Sequence, residues 1–212
     1  MGLDTKVQNR KSIRLRDFDY SKSGAYFITL CIKNKDCLFG SISKSKVILS
    51  TIGCKAKKYC EEIPEHFDNV MLDEYIIMPN HIHGIICIIN EPVWEVKKNP
   101  VGVQYIEPLH KGFEPLQSGD EFYKKGLISS DDIEKKNEYQ KLIPGSIGSI
   151  IRTFKASVTR WCNANGYTNF KWQRNYYDRI IRNEKEMNHI RQYIFYNPVR
   201  WMFDSENPGN LR

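Results

Sequence analysis

Two histidines one residue apart, His81 and His83, interrupt an otherwise apolar run, YIIMPNHIHGIICII at 75–89. On a strand alternate side chains share a face, so both imidazoles project from one side and can reach one metal ion, while Ile82 points the other way. Left without a ligand among apolar flanks, the pair would be desolvated with no obvious hydrogen-bond partners, which is costly. Two imidazoles suit zinc, iron, nickel or copper better than magnesium, and alone they name no reaction. A third donor and a nucleophile have to come from elsewhere. The helical stretch EKEMNHIRQYIFYN offers Tyr193 and Asn197, four residues apart and therefore neighbours on one face. They flank an apolar stripe of Met187, Ile190 and Ile194, which places them at the edge of a packed surface. Plainer roles also exist for these types: an amphipathic packing tyrosine, and an asparagine that ends a helix before Pro198.

The elements that must hold these residues follow from periodicity. AYFITLCIKN (25–34) is β-branched and aromatic with partial alternation and predicts a strand; KVILS (46–50) predicts a shorter one that could neighbour it. Thr51 opens a helix with Ile52, Ala56, Tyr59 and Ile63 on one face, and Pro64 is expected to end it. VMLDEYIIM (70–78) and IHGIICII (82–89) predict two strands joined by the turn pair Pro79-Asn80. From 90 to about 143 periodicity disappears into Pro, Gly, Lys, Glu, Asp and Ser, and this long stretch reads as a flexible insertion outside the core. At 145–166, Ile147, Ile150, Ile151, Phe154, Val158 and Trp161 form a helical stripe that Gly166 should terminate. FKWQRNYYDRII (170–181) predicts an extended segment ending in a strand. Asn183 with Glu186 resembles a cap opening the last helix, which is expected to run to Pro198. The order contains a β-α-β-β-α-β core, so the expected class is α+β: a ferredoxin-like (RRM-like) antiparallel sheet with helices on one face plus a C-terminal helix.

The 212 residues fit one domain, 1–212, with no need of disulfides or a structural metal for stability. Six cysteines show no C-x-x-C pair and read as reduced apolar residues of a cytosolic protein. The basic, polar N-terminal stretch lacks an apolar signal core, and no run approaches the ~18 apolar residues of a membrane span, so neither export nor membrane insertion is expected. Lys and Arg number 32 against 25 Asp and Glu, a modest +7 that is compatible with a phosphate backbone as partner. Lys171, Trp172, Gln173, Arg174, Arg179 and Arg182 interleave aromatic and cationic side chains, as suits stacking on unpaired bases with phosphate neutralisation; Arg152 and Lys155 could extend that surface.

Three stretches in this order, MPNHIHGII, SIIRTFKASVTRW and WQRNYYDRIIRNEKEMNHIRQYIFYNPV, strongly resemble the single-tyrosine HUH transposases, in the branch of REP-associated tyrosine transposases. The resemblance implies a metal-dependent endonuclease and strand transferase of single-stranded, hairpin-forming DNA, working through a 5′-phosphotyrosine. It implies that His81 and His83 are the paired metal ligands, that Tyr193 is the nucleophile and that Asn197 is the third ligand, with Mg²⁺ or Mn²⁺ as the ion. It further implies action on the nucleoid in the cytoplasm and a possible homodimer. Two rivals remain: a non-cleaving module that binds structured single strands, and a small-phosphoester hydrolase that uses water in place of the tyrosine. The histidines, Tyr193 and Asn197 argue against the first, and the second has no need of the tyrosine.

Overall fold

The computed structural model describes residues 18–89 and 143–210. The apolar run in the first half folds as strand β1 (Gly24–Cys31), which lies inside a four-stranded antiparallel sheet of order β4-β5-β1-β6. β4 spans Val70–Ile77, β5 spans His81–Ile88 and β6 spans Tyr177–Ile181. β1 pairs with β5 on one side and β6 on the other, with Thr29 opposite both His83 and Tyr177. The helices α1 (Thr51–Glu61) and α3 (Ile147–Ala164) follow β1 and β5, which gives the ferredoxin-like β-α-β-β-α-β path. Each begins where a serine satisfies a free amide of the first turn: Ser50 accepts from Gly53 at 3.1 Å and Ser146 from Ser149 at 3.3 Å.

Alternation sorts the strand residues into two faces. Tyr26, Ile28, Leu30, Ile82, Ile86 and Ile88 point to the side covered by α1 and α3, where they join Ile52, Ala56, Ile150, Ile151, Phe154 and Val158 in the main core. The opposite side carries Ile85 and Ile181, packed with Ile190 and Ile194 of the last helix, α4 (Glu184–Arg200). α4 therefore lies on the face that also bears the histidines. Its start matches expectation, with Glu186 N–H donating to Asn183 Oδ1 at 2.9 Å.

Four sequence expectations need correction. The segment at 46–49, β3 (Lys46–Leu49), pairs with β2 (Gly40–Ser43) in a separate hairpin and not with β1; an alternating pattern specifies a strand but not its partner. β1 ends at Cys31, because Asn34 and Lys35 take positive φ in a short turn. Pro64 does not stop helical structure: it occupies the first turn of a short second helix, α2 (Ile63–His66), where the missing N–H is harmless. Pro198 likewise sits inside α4, close enough to its end for the chain to run on to Arg200 and into a 3₁₀ turn, Trp201–Phe203. The proposed insertion falls, but for Ile143, outside the described residues. Among the described residues, no helix is long and apolar enough to cross a membrane, and all six cysteines are free.

Candidate metal and nucleophile site

His81 and His83 stand on the α4 side of β5, 0 % and 2 % exposed, with ring centroids 4.5 Å apart. They can be buried because each ring has one nitrogen fixed by a polar neighbour. Asn80, in the β4-β5 turn, donates through Nδ2 to the carbonyls of Lys35 (3.0 Å) and Glu206 (2.7 Å), which orients its Oδ1 toward His81 Nδ1 at 2.9 Å. An amide oxygen only accepts, so His81 carries its proton on Nδ1 and turns Nε2 toward the site. That Nε2 is buried and has no hydrogen-bond partner. His83 is held in the same manner, its Nδ1 2.9 Å from Thr29 Oγ1 and its ring stacked on Phe27 at 5.4 Å. A histidine fixed at Nδ1 by an outer partner, with Nε2 facing inward, is the arrangement of a metal ligand. Burial drives both imidazoles toward the neutral form that ligation needs: His83 falls to about 3, and His81 well below its ordinary value, with His83 and Lys35 adding to the effect.

α4 brings its residues to the same place. Tyr193 Oη lies 3.3 Å from His83 Nε2, with ring centroids 5.2 Å apart, and its ring meets the edge of Phe27 at 6.0 Å. Two turns on, Trp201 stands 6.1 Å from the His81 ring. Asn197 lies midway in this i, i+4, i+8 row, between the contact at His83 and the contact at His81. It is 2 % exposed, and its Oδ1 is buried without a partner. His81 Nε2 and Asn197 Oδ1 are therefore two buried acceptors without a protein partner, on β5 and on the helix that covers it, a costly state that a cation held by both would relieve.

The position of α4 is fixed from the sheet edge. A register irregularity between Leu72 and Tyr75 of β4 presents Asp73, whose two oxygens take Arg191 Nε at 2.7 Å and Nη2 at 2.6 Å. Burial works to raise the Asp73 carboxyl, but the Arg191 and Glu74 hydrogen bonds prevail and hold it below its ordinary range. Arg191 precedes Tyr193 by two residues, so this fork locks the rotation of the helix that carries the tyrosine.

The sequence does not mark Asn80, Thr29 or Asp204 as site residues: Asn80 carries only a turn signal, Thr29 only a strand signal, and Asp204 neither. Asp204 follows the 3₁₀ turn, and its carboxylate, with His81 and His83, forms a group whose ligand atoms lie within 4.8 Å of one another. Thr29 lies opposite His83 across β1 and β5, a pairing that the sequence does not display. Asp204 offers no periodic signal.

The candidate DNA-contacting residues separate into two sets. Lys171, Arg174 and Arg182 are exposed, as is Arg179, which pairs with Glu186 at 2.6 Å and sits opposite Phe27 across β1 and β6. Arg152 is exposed on α3, the helix of the other face. Trp172 is half-buried against Phe39, Phe154 and Phe170, and its indole N–H donates to the Lys155 carbonyl at 3.2 Å. Lys155 Nζ donates to the carbonyls of Gln173 (3.1 Å) and Asn175 (2.6 Å), and burial lowers its pKa to about 8. Gln173 N–H in turn donates to the Cys31 carbonyl at the end of β1. Trp172, Lys155 and Gln173 thus bind the segment to the fold.

No protein-family model matches the sequence. The chain is 39 % identical over 198 residues to a protein of Haemophilus influenzae described as an uncharacterized protein, with 93 % of each chain covered. It belongs to the same family as that protein. Among solved structures, a REP-associated tyrosine transposase bound to a REP hairpin superposes with a TM-score of 0.49 at 18 % identity, covering 90 % of this chain and 75 % of that one. A candidate transposase from Deinococcus radiodurans gives 0.33 at 13 % identity, over 86 % and 95 % of the two chains. Likeness at this level speaks for neither an activity nor a ligand.

Proposed function

We propose that this protein is a metal-dependent endonuclease and strand transferase of single-stranded, hairpin-forming DNA, with Tyr193 as its nucleophile. One observation carries the reading: Tyr193 Oη lies 3.3 Å from a buried histidine pair whose Nδ1 atoms are both engaged from outside, so the hydroxyl shares its surroundings with the inward-facing nitrogens. The orphaned His81 Nε2 and Asn197 Oδ1 fit an ion of mixed nitrogen and oxygen coordination. His81, His83 and Asn197 would hold Mg²⁺ or Mn²⁺; an amide oxygen as third donor suits these ions better than a closed zinc site of thiolates and imidazoles. An ion bound there would supply Lewis-acid polarisation of a phosphoryl oxygen and offset the charge that develops on it.

Tyr193 Oη then attacks phosphorus. An Oη–P bond forms, the P–O3′ bond breaks, and the departing 3′ oxygen takes up a proton. The product is a 5′-phosphotyrosine and a free 3′-OH; attack by a 3′-OH on the same phosphorus reverses the step and joins strands without ATP. A tyrosine hydroxyl ordinarily ionises near pH 10, so its loss of a proton has to be assisted inside the site. Arg179, Arg182, Lys171 and Arg174 supply positive charge for the strand's phosphates. The substrate places the protein on the nucleoid, in the cytoplasm, and a homodimer is compatible with this chemistry.

Incubation with hairpin-bearing single-stranded DNA and Mn²⁺ should give a covalent adduct on a denaturing gel, lost with chelator and in Tyr193→Phe. An adduct that persists in Tyr193→Phe sinks the nucleophile assignment. Tight hairpin binding without cleavage on any hairpin tried would favour the non-cleaving module.

A further inference from the structure

We propose that Asp204 is a further ligand of the metal, and that coordination ties the ion to the segment that follows α4; this rests on the metal-site reading above. Asp204 closes the 3₁₀ turn Trp201–Phe203, its N–H donating to the Trp201 carbonyl at 3.2 Å. One of its oxygens, Oδ1, accepts the Glu206 N–H at 2.7 Å, which fixes the carboxylate plane. The other, Oδ2, lies 3.8 Å from His81 Nε2 in a side chain that is 9 % exposed. That separation is too long for a hydrogen bond. Two donors about 2.1 Å from one ion, at angles of about 90–110°, stand roughly 3.0–3.5 Å apart, so a slight contraction around a cation satisfies both. His81 already carries a proton on Nδ1, and its buried Nε2 has no other partner.

Charge leads to the same residue. His81, His83 and Asn197 are neutral donors, and a dication among buried neutral groups keeps its full charge out of water; a carboxylate removes half of it. A carboxylate beside an amide oxygen also moves the preference of a two-histidine site away from softer ions and toward Mn²⁺ or Mg²⁺.

The segment bearing Asp204 is pinned to the same turn that orients His81. Asn80 Nδ2 holds the Glu206 carbonyl at 2.7 Å, and Lys35 Nζ donates to the Ser205 carbonyl at 2.6 Å. Metal binding should therefore tighten residues 204–207.

Mn²⁺ binding to the full chain, followed by the loss of the free-ion electron paramagnetic resonance signal, tests this without DNA. Asp204→Asn should weaken Mn²⁺ about 10–100-fold and Co²⁺ less, while Asp204→Glu recovers part of the Mn²⁺ affinity. Amide exchange at 204–207 should slow on adding Mn²⁺ in the wild type and not in Asp204→Asn. Thermal melting confirms that each variant is folded, and an Asp204→Asn chain that failed to fold would leave Asp204→Glu, with its altered reach and unchanged charge, to show the shift in Mn²⁺ affinity relative to Co²⁺. Equal Mn²⁺ affinity in wild type and a folded Asp204→Asn overturns the inference, as does a uniform fall for both ions or a wild type that binds no Mn²⁺. Mn²⁺ binding that depends on Asp204, in a chain that forms no DNA adduct, overturns strand transfer and leaves the ligand assignment standing.

Discussion

The two faces of the central sheet are built from alternate residues of the same strands, and they have been put to opposite uses. On the α1 and α3 side, Tyr26, Ile28, Leu30, Ile82 and Ile86 meet apolar helix stripes, and dispersion and apolar burial do nearly all the work. On the α4 side the apolar cluster is small, made of Ile85, Ile181, Ile190 and Ile194, and beside it sit Thr29, His81, His83 and Asn197, all buried and polar. The first face supplies stability that the second gives up by burying polar atoms, two of them unpaired. A rigid core one residue away along each strand is what allows a destabilised site to keep its geometry.

This division can be broken from either side. The largest expected effect is on chemistry alone: Tyr193→Phe should lower the rate of adduct formation by at least about 10³-fold, with a nearly unchanged melting curve. Next, Ile86→Ala, at a fully buried position of the apolar face, should cost about 2–5 kcal/mol in a denaturant titration. Its Mn²⁺ affinity should stay close to the wild-type value wherever the chain is folded. Thr29→Val is the converse: it removes the hydroxyl at His83 Nδ1 with little change in volume, so Mn²⁺ binding should weaken about 10-fold, and the buried nitrogen left without its partner should cost about 1–3 kcal/mol of stability, less than Ile86→Ala. If Thr29→Val costs stability and spares the metal, the contrast between the faces is misdrawn.

Two smaller effects sharpen the contrast. Asp73→Asn should weaken the fork on Arg191, lowering stability by about 1 kcal/mol for this partly buried pair, yet reducing cleavage more than that loss accounts for, because the rotation of α4 is released. Lys155 gives a pH signature on the other side of the molecule. Its folded pKa of about 8 lies below the ordinary 10.5, so between those values Lys155 contributes stability that rises with pH, against the fall that the raised thiols of Cys31, Cys60, Cys87 and Cys162 contribute from about pH 9 upward. Lys155→Arg stays charged throughout and should lack the rise, which melting temperatures at pH 7.5 and 9.5 will reveal.

Much of this was legible in the sequence, and what was not had a physical reason. The H-x-H pair and the four-residue spacing of Tyr193 and Asn197 are local periodicities, and local periodicity fixes which face a side chain takes. Strand pairing is not local: nothing in KVILS says that its partner is the short strand just before it rather than β1. The two prolines leave their helices standing for different reasons: Pro64 sits in a first turn, where its missing N–H would go unused, whereas Pro198 gives up one helix bond so near the end of α4 that only the residues to Arg200 follow it. Asn80 looked like turn chemistry because its second use, orienting His81 while holding Glu206, depends on a residue 126 positions away. Asp204 lies in a stretch with no period at all, and only tertiary contact reveals it.

The sequence separation between the halves of the site has a consequence for synthesis. Tyr193 meets a histidine 110 positions earlier in the chain, and Asn197 and Asp204 come later still. A growing chain can lay β5 against β1 and bury Ile82 and Ile86 long before any of these three residues exists. During that interval the histidines have Thr29 and Asn80 beside them but lack the Tyr193 hydroxyl, Asn197 and Asp204. On the reading proposed above, strand cleavage would have to wait until α4 is made and docked, and a chain terminated before it would lack Tyr193 altogether.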